Sequence, residues 1–170
     1  MAKTNFDAPV LIAGGGLVGL SAAMFLARHG VRSLAIEPRR NVLQMPRAAF
    51  FHMRTIELFR SCGIEAEVRE QSEKEFTPEG AIVAVESLAG KQIAAFIPSL
   101  NEGVDVLSPC RRLFVTQPGL EPILRRRAEQ AGAQIVDGVE LSTSIRTTAA
   151  SPCSPKMSRA VASVHSPANI

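Results

Sequence analysis

Short apolar runs alternate with longer segments of helical periodicity over most of the chain. Residues 10–13 and 33–36 have the composition of buried parallel strands, and residues 17–29 between them have the spacing of a helix closed by Gly30. Further helices are predicted over 51–62, 64–74 and 118–131, and further strands over 113–116, 134–136 and 139–145. This order predicts an α/β fold with parallel strands.

The pattern changes between residues 76 and 112. Two apolar runs, 81–85 and 92–97, flank the short segment 88–91, which predicts a β-hairpin inserted into the α/β pattern. Residues 98–112 contain two prolines and several polar residues, so a loop is expected there.

A glycine-rich turn joins the first strand to the first helix. Gly14, Gly16 and Gly19 form a GxGxxG motif, and Glu37 ends the second strand 23 residues after Gly14. Dinucleotide sites use this order: glycines for the tight turn, for close approach of the backbone to a pyrophosphate and for helix packing, then an acid about 20 residues on for a ribose hydroxyl. Val18 lies within the motif and completes the first set of predicted cofactor-binding residues. The alternative is a strand–helix turn that needs glycine only for packing.

Composition and charge exclude several classes of protein. The 46% hydrophobic and 21% charged content is that of a globular domain, and no apolar run is long enough to cross a membrane. Net charge is +3, yet three basic residues follow the last acid, Glu140, so the remaining chain is neutral and nucleic acid is not an expected partner. The three cysteines are widely spaced, which predicts no metal site and favours a reducing compartment, the cytoplasm.

After residue 146 the periodicity stops. Residues 147–170 are rich in Ser, Pro and Ala and contain no acid, so we expect a disordered tail that follows a domain of residues 1–146. A shifted reading frame or a retained intron would explain this composition, and an ordinary flexible tail is the alternative.

Four stretches together resemble the N-terminal part of class A FAD-dependent monooxygenases, the aromatic-ring hydroxylases related to phenol hydroxylase and p-hydroxybenzoate hydroxylase. These are the Gly14–Glu37 unit, the block MPRAA followed by MRTIELFR at 45–60, the block VTQPGLE at 115–121, and AGA at 131–133. The first stretch is generic, whereas the second and third in this order make the match specific. The resemblance covers roughly residues 8–142 and implies a partial Rossmann-like FAD-binding domain, of the glutathione-reductase type, with the hairpin segment 76–112 drawn from the substrate region.

The resemblance also implies roles for particular residues. Glu37 would bond the adenosine ribose, Arg47 would reach the FAD pyrophosphate, and Gln117 would contact either the ribityl chain or a phosphate. A surface loop position is the alternative for Arg47. Arg39 and Arg40 are expected to be solvated. No catalytic acid, base or nucleophile is predicted, because FAD carries the redox chemistry in this family.

The implied activity is hydroxylation of an aromatic or polyketide-type small molecule with NAD(P)H and O₂. Family members continue into segments that bind the reductant and the ribityl chain, and these segments have no counterpart in the 170 residues. We therefore expect an N-terminal piece that is inactive alone. A catalytically silent product or pseudoenzyme and an NAD(P)-dependent dehydrogenase are the alternatives.

Overall fold

The computed structural model describes residues 8–40, 49–146 and 160–165. The strands are β1 (Val10–Ala13), β2 (Ser33–Glu37), β3 (Phe50–Phe51), β4 (Ile82–Val85), β5 (Gln92–Ile97), β6 (Leu113–Phe114), β7 (Gln134–Asp137), β8 (Glu140–Arg146) and β9 (Ala160–His165). The helices are α1 (Leu17–Arg28), α2 (Met53–Ser61), α3 (Glu65–Glu75) and α4 (Gln117–Gln130). Two compact units result: a first unit of residues 1–43 and 124–170, and a second unit of residues 44–123.

The first unit is built on a parallel sheet with the order β1-β2-β7. Leu34 of β2 lies opposite Leu11 on one side and Gln134 on the other, and all five residues of β2 are buried. Helix α1 connects the parallel strands β1 and β2, packs against both, and buries Leu20, Ala23 and Met24. This βαβ unit confirms the predicted α/β class.

The second unit has its core between helices α2 and α3 and the short strand β6. Ile56, Phe59, Val68 and Leu113 are buried there, and Ile56 and Phe59 lie three residues apart and so share one face of α2. Strands β3 and β6 pair antiparallel over two residues.

The strands β4 and β5 pair antiparallel and carry half of the large apolar side chains that are exposed in the described part of the second unit. Ile93 is 67% exposed, Phe96 is 70% exposed, and Leu88 in the connecting turn is fully exposed. Apolar residues project from both faces of this hairpin, and within the described part of the chain neither face is covered.

The expectation of disorder after residue 146 is wrong for residues 160–165. These residues form β9, which pairs antiparallel with β8 from Glu140↔His165 to Arg146↔Ala160. Two β-branched valines favour an extended backbone, and strand pairing satisfies backbone groups without needing an apolar period. Residues 147–159 and 166–170, the rest of the predicted tail, lie outside the described residues. In the described part of the chain, no helix has both the length and the hydropathy needed to cross a membrane.

Candidate functional site

The glycine loop turns sharply between β1 and α1. Gly14 has a φ of +111°, a conformation that side-chain-bearing residues rarely adopt, and its N–H donates to the carbonyl of Ile36 over 2.8 Å. A Cβ on Gly19 would lie 1.9 Å from the carbonyl oxygen of Gly14, so α1 approaches the loop more closely than any larger residue permits. Backbone conformation therefore accounts for glycine at position 14, and close packing accounts for it at position 19, without any ligand.

Gly16 differs, because its conformation does not require glycine. Its φ of −79° and ψ of −170° are an extended backbone that any residue adopts, and it is the N-cap residue of α1. Among the described residues no side chain caps this helix, and its first turn contains no acidic residue. The start of α1 therefore presents backbone N–H groups and the positive end of the helix dipole without a carboxylate of its own, which is the arrangement that binds phosphate.

Val18 follows in the first turn of α1 and is 85% exposed. Because the Val18 side chain is so exposed, no described residue covers the start of α1 on the side where this side chain lies. Its exposure is compatible with the predicted cofactor contact.

The carboxylate of Glu37 lies against the glycine loop. Its Oε2 accepts the N–H of Gly15 at 2.7 Å, and a Cβ on Gly15 would lie 2.7 Å from the Cβ of Glu37. Its Oε1 accepts both the backbone N–H and the Nε–H of Arg39, at 3.1 Å and 2.9 Å. Burial alone would raise the pKa of Glu37, but the hydrogen bonds from Arg39 and Gly15 and the Arg39 charge outweigh it and lower the pKa. The carboxylate is therefore ionised and oriented at the end of β2. A carboxylate has about four acceptor positions, and the described residues Gly15 and Arg39 fill three of them.

Arg39 and Arg40 are both exposed, as expected, but each also contacts the protein. The Arg39 side chain is 54% exposed but ion-pairs with Glu37, and Arg40 packs so closely on Gly138 that a Cβ there would lie 2.7 Å from its Nε. Two residues after a strand-end acid, an arginine can fold back onto the carboxylate, which the sequence reasoning did not consider.

Gln117 is the first residue of α4 and belongs to the second unit. Its Nε2 donates to Oε1 of Glu121 at 2.6 Å, and Glu121 is buried. Glu121 was not predicted as a site residue, although its i+4 spacing from Gln117 on a helix was available as a signal. Arg47, the remaining predicted cofactor contact, lies outside the described residues.

A three-stranded parallel sheet, an uncapped helix start after a glycine loop, and an acid at the end of the second strand define a dinucleotide-binding α/β domain. The model of the FAD binding domain family matches residues 7–153 of this chain. The chain therefore belongs to the FAD binding domain family. This membership confirms the predicted resemblance and FAD as the cofactor.

Named relatives give the same result. The chain is 50% identical over 131 residues to 4-methyl-5-nitrocatechol 5-monooxygenase of Burkholderia sp.. The aligned region covers 77% of this chain and 24% of that protein. It is 36% identical over 151 residues to aklavinone 12-hydroxylase of Streptomyces peucetius, covering 84% of this chain and 30% of that protein. The crystal structure of a ternary complex of aklavinone-11 hydroxylase with FAD and aklavinone matches with a TM-score of 0.70 and 33% identity, over 85% of this chain and 28% of that one. The chain thus spans about a quarter to a third of the length of these relatives.

Proposed function

We propose that this chain carries the FAD-binding part of a flavin-dependent monooxygenase that hydroxylates an aromatic or polyketide-type small molecule with NAD(P)H and O₂. The observation that carries the proposal is the oriented Glu37 carboxylate bonded to a glycine loop whose following helix start is uncapped. The relatives supply the reaction class, since they are named as a nitrocatechol monooxygenase and an aklavinone hydroxylase.

We assign the adenosine diphosphate end of FAD to the first unit. Gly14, Gly16, Val18 and Gly19 would surround the pyrophosphate, because the uncapped N–H groups of α1 are donors that need an anion. Glu37 would accept from a ribose hydroxyl through the acceptor position that Gly15 and Arg39 leave open. The hydrogen bond between Glu37 and the loop at Gly15 supports this assignment.

Arg47 and Gln117 complete the proposed contacts, and both rest on the family resemblance of their sequence blocks. An arginine offers planar, charge-assisted hydrogen bonds to a pyrophosphate, and a glutamine amide can both donate and accept. When bound, FAD supplies the redox chemistry; the residues of this chain bind and orient it.

We further assign the segment 76–112 to the wall of a substrate site. The β4–β5 hairpin is the observation in favour, because Ile93 and Phe96 expose the kind of surface that an aromatic substrate contacts. The proposed domain covers residues 1–146, with residues 147–170 as an appendage. The proposed location is the cytoplasm, where the buried thiols of Cys62 and Cys110, which form no disulfide among the described residues, would remain reduced.

The two alternatives from the sequence are not favoured. A dehydrogenase would account for the glycine loop but not for a family match that extends to residue 153. For a silent product, the described residues supply no observation in favour, and the named relatives are monooxygenases and hydroxylases.

Equilibrium titration with FAD, NAD and NADP tests the proposal. FAD should bind more tightly than either nicotinamide cofactor, and quenching of flavin fluorescence would report binding. Gly16→Val should abolish FAD binding while the protein remains folded by circular dichroism, because the backbone at Gly16 accepts any residue and only room for the ligand is lost. Tighter binding of NADP than of FAD, or unchanged FAD affinity in Gly16→Val, would contradict the assignment.

A further inference from the structure

The orientation of the Gln117 amide is determined by its neighbour. Nε2 of Gln117 lies 2.6 Å from Oε1 of Glu121, and Glu121 is only 7% exposed. An ionised carboxylate accepts hydrogen bonds and donates none, so the nitrogen must be the end of the amide that faces it. The amide oxygen of Gln117 consequently faces away from Glu121 as an acceptor.

A second carboxylate fixes the helix turn that carries Gln117. Oε2 of Glu75, at the end of α3, accepts the N–H of Thr116 at 2.5 Å, and its Oε1 accepts Nε2 of Gln71 at 2.7 Å. A Cβ on Gly119 would lie 2.0 Å from Oε1 of Glu75, so the carboxylate lies directly on the first turn of α4. Thr116 caps the same turn, since its Oγ1 accepts the N–H of Gly119 at 3.2 Å.

These two carboxylates decide which ligand group the start of α4 accepts. A helix start normally attracts anions, but here the Glu75 carboxylate already occupies that position and Glu121 adds a second negative charge beside Gln117. A phosphate would be repelled by both. An uncharged hydroxyl group would not, and it could donate to the outward amide oxygen of Gln117.

We propose that Glu75 and Glu121 are positioning residues for Gln117, which hold its amide oxygen outward as an acceptor for a hydroxyl group and keep phosphate away from the start of α4. The inference rests on the proposed function, in which Gln117 contacts FAD. Of the two contacts considered for Gln117, the ribityl chain and a phosphate, it selects the ribityl hydroxyls.

The test combines a spectroscopic signature with two ligands. The side-chain Nε2 protons of Gln117, identified by their loss in Gln117→Leu, should be shifted downfield and exchange slowly in the free protein. Glu121→Gln has the same size but can donate as well as accept, so it should remove this signature. Its affinity for FAD should fall by about two- to twelvefold, the loss of one neutral hydrogen bond. Its affinity for ADP, which lacks the ribityl chain, should not change.

Glu129→Gln on the same helix is the matched control. The Glu129 side chain is 52% exposed and has only a 4.0 Å ion pair with Arg125, so neither the Gln117 signature nor either affinity should change. The signature is read in the wild-type protein and does not depend on Glu121→Gln, so a fast-exchanging, unshifted Gln117 amide would overturn the inference even if that variant failed to fold.

The outcomes separate the two proposals. A wild-type protein with a protected Gln117 amide but no affinity for FAD contradicts the proposed function, and the inference with it. Wild-type FAD binding together with an unchanged ratio of FAD to ADP affinity in Glu121→Gln overturns the positioning role alone.

Discussion

Helices α1 and α4 start in opposite ways. The N-cap of α1 is Gly16, which has no side chain, and no acid lies in the first turn. The start of α4 is capped by Thr116 and covered by the carboxylate of Glu75 from another helix. Both starts contain a glycine in close contact: Gly19 is crowded by backbone, and Gly119 by a carboxylate.

The difference teaches that a glycine at a helix start has no single meaning. At α1 the glycines create a tight loop before a helix start whose first-turn N–H groups remain available to a ligand. At α4 the glycine makes room for a carboxylate of the protein itself, so the same donors are satisfied internally. Only the first arrangement is a candidate anion site.

The largest effect, and so the strongest test of the difference between the two helix starts, is expected for Gly19→Ala. The added Cβ would meet the Gly14 backbone at 1.9 Å, so α1 must move away from the loop. We expect destabilisation at the upper end of the roughly 1–3 kcal/mol range for overpacking, together with loss of FAD binding. Thermal unfolding and FAD titration measure the two effects.

The control for this variant is Gly30→Asn. Gly30 has a φ of +71° with open space around its missing Cβ, and asparagine tolerates this conformation. It should retain FAD affinity with only a small change in unfolding temperature. An equally large loss in both variants would mean that the close contact at Gly19 is not what matters.

The next largest effect is expected for Glu37→Gln, which removes the charge but keeps the size of the side chain. A hydrogen bond to a charged group contributes roughly 1.5–3 kcal/mol, so the dissociation constant for FAD should rise at least about tenfold. The charge-reversing Glu37→Lys should weaken binding further. An unchanged dissociation constant in Glu37→Gln would mean that Glu37 only holds the glycine loop in place and that its charge does not contribute to FAD binding.

The stability contributed by the start of α4 should depend on pH rather than on ligand. Burial would raise the pKa of Glu75, but hydrogen bonds from Thr116 and Gln71 lower it below its ordinary value of 4.5. The stabilisation that the ionised Glu75 carboxylate contributes is therefore fully present above pH 4.5. It is lost as the pH falls through the lower pKa that Glu75 has in the folded protein. Glu75→Gln should be less stable than the wild type at pH 7 by about 1 kcal/mol, and the gap should narrow toward pH 3.

Urea unfolding at several pH values measures this gap. Glu73→Gln is the control on the same helix, because Glu73 is exposed, and its stability should follow the wild type at every pH. A constant gap between Glu75→Gln and the wild type from pH 7 to pH 3 would show that the ionised carboxylate does not contribute.

The smallest effect is expected for deletion of residues 147–170. The deletion removes β9 and the antiparallel partner of β8, but it leaves the sheet β1-β2-β7 intact. Affinity for FAD should stay within about twofold, because no proposed contact lies beyond Gln117. Loss of soluble protein would mean that the β8–β9 pair supports the parallel sheet.

The sequence predicted those parts of the molecule whose signals are local. The unit β1–α1–β2 follows from two apolar runs, a helical period and the spacing of Gly14, Gly16 and Glu37, which all lie within 30 residues. The contact between Glu75 and Thr116 joins residues 41 apart, and nothing in the composition near either one announces it. The strand β9 was missed because backbone pairing needs no apolar pattern, and the Arg39–Glu37 pair was missed because arginine near a strand end is usually solvated.

The bond from Gly15 to Glu37 has a consequence for the thermodynamics of ligand binding. It ties the glycine loop to the end of β2 across 22 residues of sequence, by a bond within the protein itself. The conformational entropy of ordering the loop is therefore lost on folding and not on binding. A nucleotide that enters the loop should bind with a smaller entropic penalty than one that must order a mobile loop, and calorimetry of Glu37→Ala should show that penalty returning.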